Sequence, residues 1–221
     1  MKYLLLVFLS ALTYTSSGQT LETNANKRPY KKRNVFSFIP GKVDQINGLA
    51  LGLWAENTND YLGGDSLKIN GLSVEVNPIL LFIYIRGVFS VPHQDSIEYY
   101  LAERKKNYKG LTVKGLNLNV PGSINFNATI SGFNVSGLTM VTGKLNGVSI
   151  SGLTYSSYIL NGVSVAGIYN SATKVKGLQI GLFNRASQLR GFQLGLWNRN
   201  GRRSLPIINW QFKDKKGAKV T

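Results

Sequence analysis

His93 is the single histidine of the chain and stands two residues before Asp95, in the stretch Val91-Pro92-His93-Gln94-Asp95. With a serine brought in from elsewhere, the pair could supply the base and orienting acid of a nucleophilic triad. No nucleophile-elbow sequence accompanies it, so the plain reading is a loop histidine ahead of a helix. A secreted hydrolase would otherwise have to rest on Asp44, Asp60, Asp65, Glu75 and Asp95. Acidic residues stop at Glu103 and resume only at Asp214. Polysaccharide-cleaving coils need paired carboxylates, and calcium-binding repeats need aspartate at a fixed place. Neither can be built between Arg104 and Lys213. Cysteine is absent, which removes thiol nucleophiles, disulfides and zinc fingers. No phosphate loop, dinucleotide fingerprint or metal-ligand spacing occurs. The expectation is a protein that is not an enzyme and uses no metal or cofactor.

What the chain offers instead is positive charge, +16 overall. One basic run holds Lys27, Arg28, Lys31, Lys32 and Arg33. A second holds Arg199, Arg202, Arg203, Lys213, Lys215, Lys216 and Lys219. Such runs suit anionic partners: lipopolysaccharide, acidic glycan or a membrane surface. Arg199, Arg202, Arg203, Lys213, Lys215 and Lys216 are the candidate ligand-binding residues. Nucleic acid is not expected, because no recognition motif interleaves aromatics with this charge. Residues 1–18 also read as a secretory signal: Lys2, an apolar run from Tyr3 to Leu12, then Ser16-Ser17-Gly18. That run is too short to cross a bilayer as a helix.

The elements that must position these residues follow a beat. From Phe133 to Leu182 the chain reads in fives, with large apolar residues at the first and third places, as in Val148 and Ile150. Gly132, Gly147, Gly162 and Gly177 are 15 residues apart, and Gly191 follows 14 later. A fixed period means stacked units that bury their faces against their neighbours. Fifteen residues in three fives predict an all-β parallel solenoid with three-faced coils. Glycine suits the corners because it reaches positive φ without steric cost. Asn146, Asn161, Asn170, Asn184 and Asn198 are expected at similar corners. The first and third places are expected to point inward. Phe183 and Trp197, 14 apart in GLFN and GLWN, are expected to stack in or beside the core. If exposed, Trp54, Trp197 and Trp210 could stack on sugars.

The expected organisation is a signal over 1–18, a basic linker over 19–34, an irregular β part over 35–107, the repeat solenoid over 108–200, and a cap with a basic tail over 201–221. The repeats alone imply roughly six coils. Ile79 to Ile85 is continuously apolar and is expected to be a strand buried on both faces. Asp95 to Lys106 is the one expected helix, with Glu98 at capping-box spacing from Asp95. Ser204 to Phe212 breaks the beat at Pro206 and is expected to shield the last coil, whose edge would otherwise recruit other chains. The sequons at Asn127 and Asn134 are expected to be accidental. The competing fold is an antiparallel outer-membrane β-barrel, in which Pro206, Ile208, Trp210 and Phe212 alternate like a terminal membrane strand.

The stretch Val175 to Phe212 (VKGLQIGLFNRASQLRGFQLGLWNRNGRRSLPIINWQF) resembles a family of surface-repeat proteins from Gram-negative bacteria. Its members carry tandem G-h-Q-I-G-L-h-N units and often finish in a proline-containing aromatic segment. The resemblance covers the last third well, Gly110 to Ser171 more weakly, and little before that. It implies an extracytoplasmic location, at the cell surface, outer membrane or periplasm. The family has no established activity, so no catalytic residue carries over. The extension Lys213 to Thr221 departs from members that stop near the aromatic end.

Overall fold

The computed structural model describes residues 30–39, 41, 43–53, 66–78, 80, 82 and 110–212. Ten strands follow in order: β1 (Lys32–Ile39), β2 (Gln45–Leu53), β3 (Lys68–Val76), β4 (Thr112–Val120), β5 (Gly122–Ser136), β6 (Thr139–Ser151), β7 (Thr154–Ala166), β8 (Tyr169–Ile180), β9 (Phe183–Arg199) and β10 (Ser204–Gln211). They form one sheet in sequence order, and each of β1 to β8 pairs parallel with the next strand. The result is a β-solenoid of about eight turns. A membrane barrel is antiparallel and closed. Here β10 alone runs antiparallel, and it pairs with β9 rather than closing on β1. The barrel is therefore excluded.

One coil runs from Thr139 to Leu153. Thr139–Thr142 pairs with Thr154–Ser157, pairing skips Gly143 and Tyr158, and it resumes at Lys144 on Ile159. Gly147 then sits at φ 138, and the chain bends at Gly152-Leu153. Three short sides result: a first (139–142), a second (144–146) and a third (148–151). The stack is longer than the regular repeats imply, because β1 to β3 join it in register. Gly48 and Gly71 are 23 positions apart and Gly71 and Gly115 are 44 apart, yet each pairs with the next.

Eight glycines form this corner column, from Gly48 to Gly191, all with φ between 127 and 142. L side chains avoid such angles. At each, a Cβ would also run into the backbone oxygen of the residue one coil below. In β1 the column is occupied by Val35, at φ 86 and exposed to solvent. A β-branched residue there is a strained outlier. The five asparagines expected at corners do not adopt positive φ, which among non-glycine described residues is confined to Val35 and Ile207. Asn170, Asn184 and Asn198 are buried instead, where Asn184 donates to the Gly181 and Leu194 carbonyls and Asn198 to that of Gly195.

The longest apolar column of the core lies on the second side. Ile46, Ile69, Val113, Ile130, Leu145, Leu160, Val175 and Leu189 stack in register, each no more than 2% exposed. Burial of each contributes about 1.5–3 kcal/mol relative to exposure. On the first side Met140 and Tyr155 fill the interior. Burial pushes the Tyr155 phenol well above its ordinary range, and the nearby Ser157 hydroxyl offsets part of this. Neither hydroxyl reaches hydrogen-bond geometry with a partner, so Ser157 acts as a neighbouring dipole. Tyr155→Phe should therefore stabilise the fold by about 1 kcal/mol in urea unfolding; an equal loss would show that the hydroxyl is satisfied. Because the folded pKa is raised, wild-type stability does not depend on Tyr155 ionisation below pH about 10 and falls as pH rises above it, where the unfolded phenol ionises first. The variant should lack that part of the alkaline decline.

The third side reverses the sequence expectation. Its serines, asparagines and glutamines point inward, and its apolar residues point out: Ser149 is fully buried, while Ile150 is 49% exposed. Near the N-terminal end, the described residues of the run Ile79–Ile85 are helical rather than extended, with Leu80 buried and Phe82 exposed. The Asn77 side chain accepts from the Leu80 N–H at 3.0 Å and so caps this turn. The signal, most of the basic linker and the expected helix 95–106 lie outside the described residues.

Candidate functional site

The predicted basic residues divide into three groups. Arg199 ends β9, and Arg202 and Arg203 lie in the turn to β10; all three are exposed. Asn200 organises the turn from inside. Its Oδ1 accepts from the N–H groups of Arg202 and Arg203 at 2.9 and 3.0 Å, and its own N–H donates to the Arg203 carbonyl. Arg203 is committed to this hairpin. Its Nε donates to Asn209 Oδ1 at 3.1 Å, its Nη2 donates to the Trp210 carbonyl at 2.8 Å, and its guanidinium lies 4.7 Å from the Trp210 ring. It is a structural pin rather than a free ligand group. Arg199 and Arg202 remain directed to solvent. Lys213, Lys215 and Lys216 lie outside the described residues.

The structure adds bases that the sequence reading passed over. Lys176 and Arg190 are register partners on adjacent coils, and Lys174 lies on the same outer side two residues before Lys176. Lys174 Nζ also sits 5.6 Å from the Tyr158 ring. The signal was available: Lys176 and Arg190 each immediately precede a corner glycine. Strand spacing of about 4.8 Å brings them together along the stack.

Two acids, Asp44 and Glu75, fall among the described residues. Asp44 is buried and accepts from the Lys31 N–H at 2.7 Å; Glu75 is buried as well. Among the described residues no group of three or more His, Cys, Asp or Glu could hold a metal. His93 and Asp95 lie outside the described residues, as do Asp60, Asp65 and Trp54. Of the two sequons, that at Asn134 is closed, because Asn134 is buried and donates to Ser149 Oγ at 2.9 Å.

Phe183 and Trp197 are register neighbours on the outside of the coil, not in the core, and both are about half exposed. They belong to a larger apolar surface. On the third side, the column Leu116, Phe133, Val148, Val163, Leu178 and Phe192 runs beside Leu118, Val135, Ile150, Val165, Ile180 and Leu194. β10 extends it, with Ile208 opposite Leu194 and Trp210 opposite Phe192. Phe212 packs edge-on against Phe192, with ring centroids 5.1 Å apart. Behind this surface lies a polar ladder. Asn117 Nδ2 donates to Asn134 Oδ1 at 2.9 Å, Gln193 Nε2 to Gln179 Oε1 at 2.8 Å, and Asn209 Nδ2 to Gln193 Oε1 at 3.1 Å. Stacked amides satisfy one another in part from coil to coil, while Asn117 Oδ1, Asn119 Oδ1 and the Ser136 and Ser151 hydroxyls on the same inner face find no partner.

Fold and surface together define a parallel β-solenoid with an apolar outer side and a basic C-terminal end. No protein-family model, no curated protein and no solved structure matches the chain.

Proposed function

We propose that the protein is an exported, non-enzymatic binding module whose C-terminal coils attach to anionic glycan or lipid headgroups. One observation carries this reading. Residues 110–212 hold nine basic residues and no acid, and seven of the nine fall between Lys174 and Arg203. Within residues 110–212, positive charge is thus concentrated toward the C-terminal coils, and no carboxylate of that stretch neutralises it. The signal-like N-terminus and the likeness to surface-repeat proteins support an extracytoplasmic location, at the cell surface, outer membrane or periplasm.

Arg199→Ser combined with Arg202→Ser tests the reading. Each base beside an anionic surface contributes about 1 kcal/mol, so the pair should weaken binding about 30-fold at low salt. Heparin, lipopolysaccharide and phosphatidylglycerol vesicles are the probes, and circular dichroism checks the fold. Unchanged binding to all three would overturn the proposal. Arg203→Ser is the wrong variant for this purpose, because it frees Asn209 and the β9–β10 hairpin as well as removing charge.

A further inference from the structure

The apolar third side needs an explanation of its own. Sheets of parallel strands are ordinarily covered on both faces, whereas here Leu116, Phe133, Val135, Ile150, Phe192 and Leu194 are exposed on the outer face and Val148, Val163, Val165, Leu178 and Ile180 are half-buried among them. Phe133 is 62% exposed and Ile150 49%. The surface also turns the corner, where Ile168, Leu182 and Leu196 stand exposed in succession. At strand spacing, nine coil positions span about 38 Å, and two residue columns make a strip about 10 Å wide, or about 400 Å². That matches the largest apolar patch of a typical monomer, which is often functional.

The position of the charge says what should cover it. Lys114, Lys176 and Arg190 each stand immediately before a corner glycine, and Leu116, Leu178 and Phe192 stand immediately after it. Lys176 and Arg190 therefore stand on adjacent coils one corner away from the apolar strip, with Lys114 in the same column four coils earlier and Ser131, Asn146 and Asn161 between them. At the C-terminal end Trp210 and Phe212 join the strip, with the Arg203 guanidinium over the Trp210 ring. Apolar surface edged by bases, with tryptophan near the charge, is the composition of a face that lies in a lipid interface. A second copy fits less well. The strip offers about half of the roughly 800 Å² per partner of a standard interface. Two copies would also each bring a net charge of +16 to the contact, whereas an anionic bilayer complements it.

We propose that the third side docks the solenoid flat on an anionic lipid bilayer, with Phe133, Ile150, Leu194 and Trp210 entering the headgroup boundary and Lys176 and Arg190 meeting phosphates at its edge. This rests on the anionic-surface reading above, and names lipid as the partner and the third side as the contact.

The test uses vesicles of phosphatidylcholine with phosphatidylglycerol, and heparin as a lipid-free anion. The chain has no cysteine, so Ile150→Cys and Thr129→Cys each take a single polarity-sensitive fluorophore, one on the third side and one on the second. On binding, the probe at 150 should shift to the blue and be quenched by lipid-borne spin labels, while that at 129 should not. Part of the binding should survive about 1 M salt, where charges are screened beyond about 3 Å. Replacing Phe133, Ile150 and Leu194 together with serine should reduce vesicle binding about 100-fold, with heparin binding unchanged. Vesicle binding fully reversed by salt, with the probe at 150 unmoved, would overturn bilayer docking and leave the anionic reading standing. Heparin binding without vesicle binding would do the same. Failure to bind either would overturn both. A dimer in sedimentation, lost in the triple-serine variant and with no vesicle binding, would assign the strip to a second copy instead.

Discussion

Gly162→Ala should destabilise the protein by about 3 kcal/mol, a large share of the 5–15 kcal/mol that holds a typical domain together. Gly162 sits at φ 133, in the middle of the corner column. An alanine held at positive φ loses about 1–2 kcal/mol on that account alone. The added Cβ also meets the backbone oxygen and carbon of Gly147 one coil below. Both partners in that collision are backbone, so no rotamer change relieves it. The ladder between β6 and β7 has to open, and the next corner, Gly177, is stacked directly on Gly162. Asn161→Ala is the control: Asn161 donates one part-buried hydrogen bond to Asn146 Oδ1 at 2.8 Å, and its loss should cost about 1 kcal/mol. Urea unfolding followed by circular dichroism reads both. Equal costs would mean that the corner does not require glycine.

The second large effect separates inside from outside. Leu160 is fully buried in the apolar column, whereas Ile150 projects from the third side of the coil before it. Leu160→Ala should cost about 3 kcal/mol, the transfer loss plus the cavity left between Leu145 and Val175. Ile150→Ala should change stability by no more than about 0.5 kcal/mol, as exposed substitutions do. The two residues are of similar size and hydrophobicity, so composition does not distinguish them. Comparable losses would place both in the interior and would remove the apolar outer side from the account.

The period, the corners and the three-sided coil were legible because each is written in residue identity. A corner at positive φ against a neighbouring backbone excludes every side chain, and the column from Gly132 to Gly177 therefore shows as a strict 15-residue repeat. The facing of the third side was not legible from alternation. A run such as Val148-Ser149-Ile150-Ser151 has two faces and does not say which one meets water. The rule that apolar residues go inside gave the wrong answer, because it leaves out what stacking does for amides and hydroxyls. One signal was present. The register column Asn117, Asn134, Ser149, Ser164, Gln179 and Gln193 contains only uncharged groups able to bond to their own kind. A solvated column over that many coils of so basic a protein would be expected to include lysine or arginine.

The basic end was half legible. Arg199 and Arg202 stand where a charge run suggested. The commitment of Arg203 depended on the antiparallel return of β10, which brings Asn209 and the Trp210 carbonyl to its guanidinium. No local pattern in Gly201-Arg202-Arg203 distinguishes the pin from the free arginine beside it. Lys176 and Arg190 required knowledge of which coil lies on which.

Single-cysteine labelling tests the inverted third side most directly. Ile150→Cys and Phe133→Cys should react with a maleimide in the native protein as fast as in urea, whereas Ser149→Cys and Asn134→Cys should react only after unfolding. Fast native labelling at 149 and 134 with protection at 150 and 133 would contradict the account, returning the apolar residues to the core and leaving no outer strip to meet a membrane.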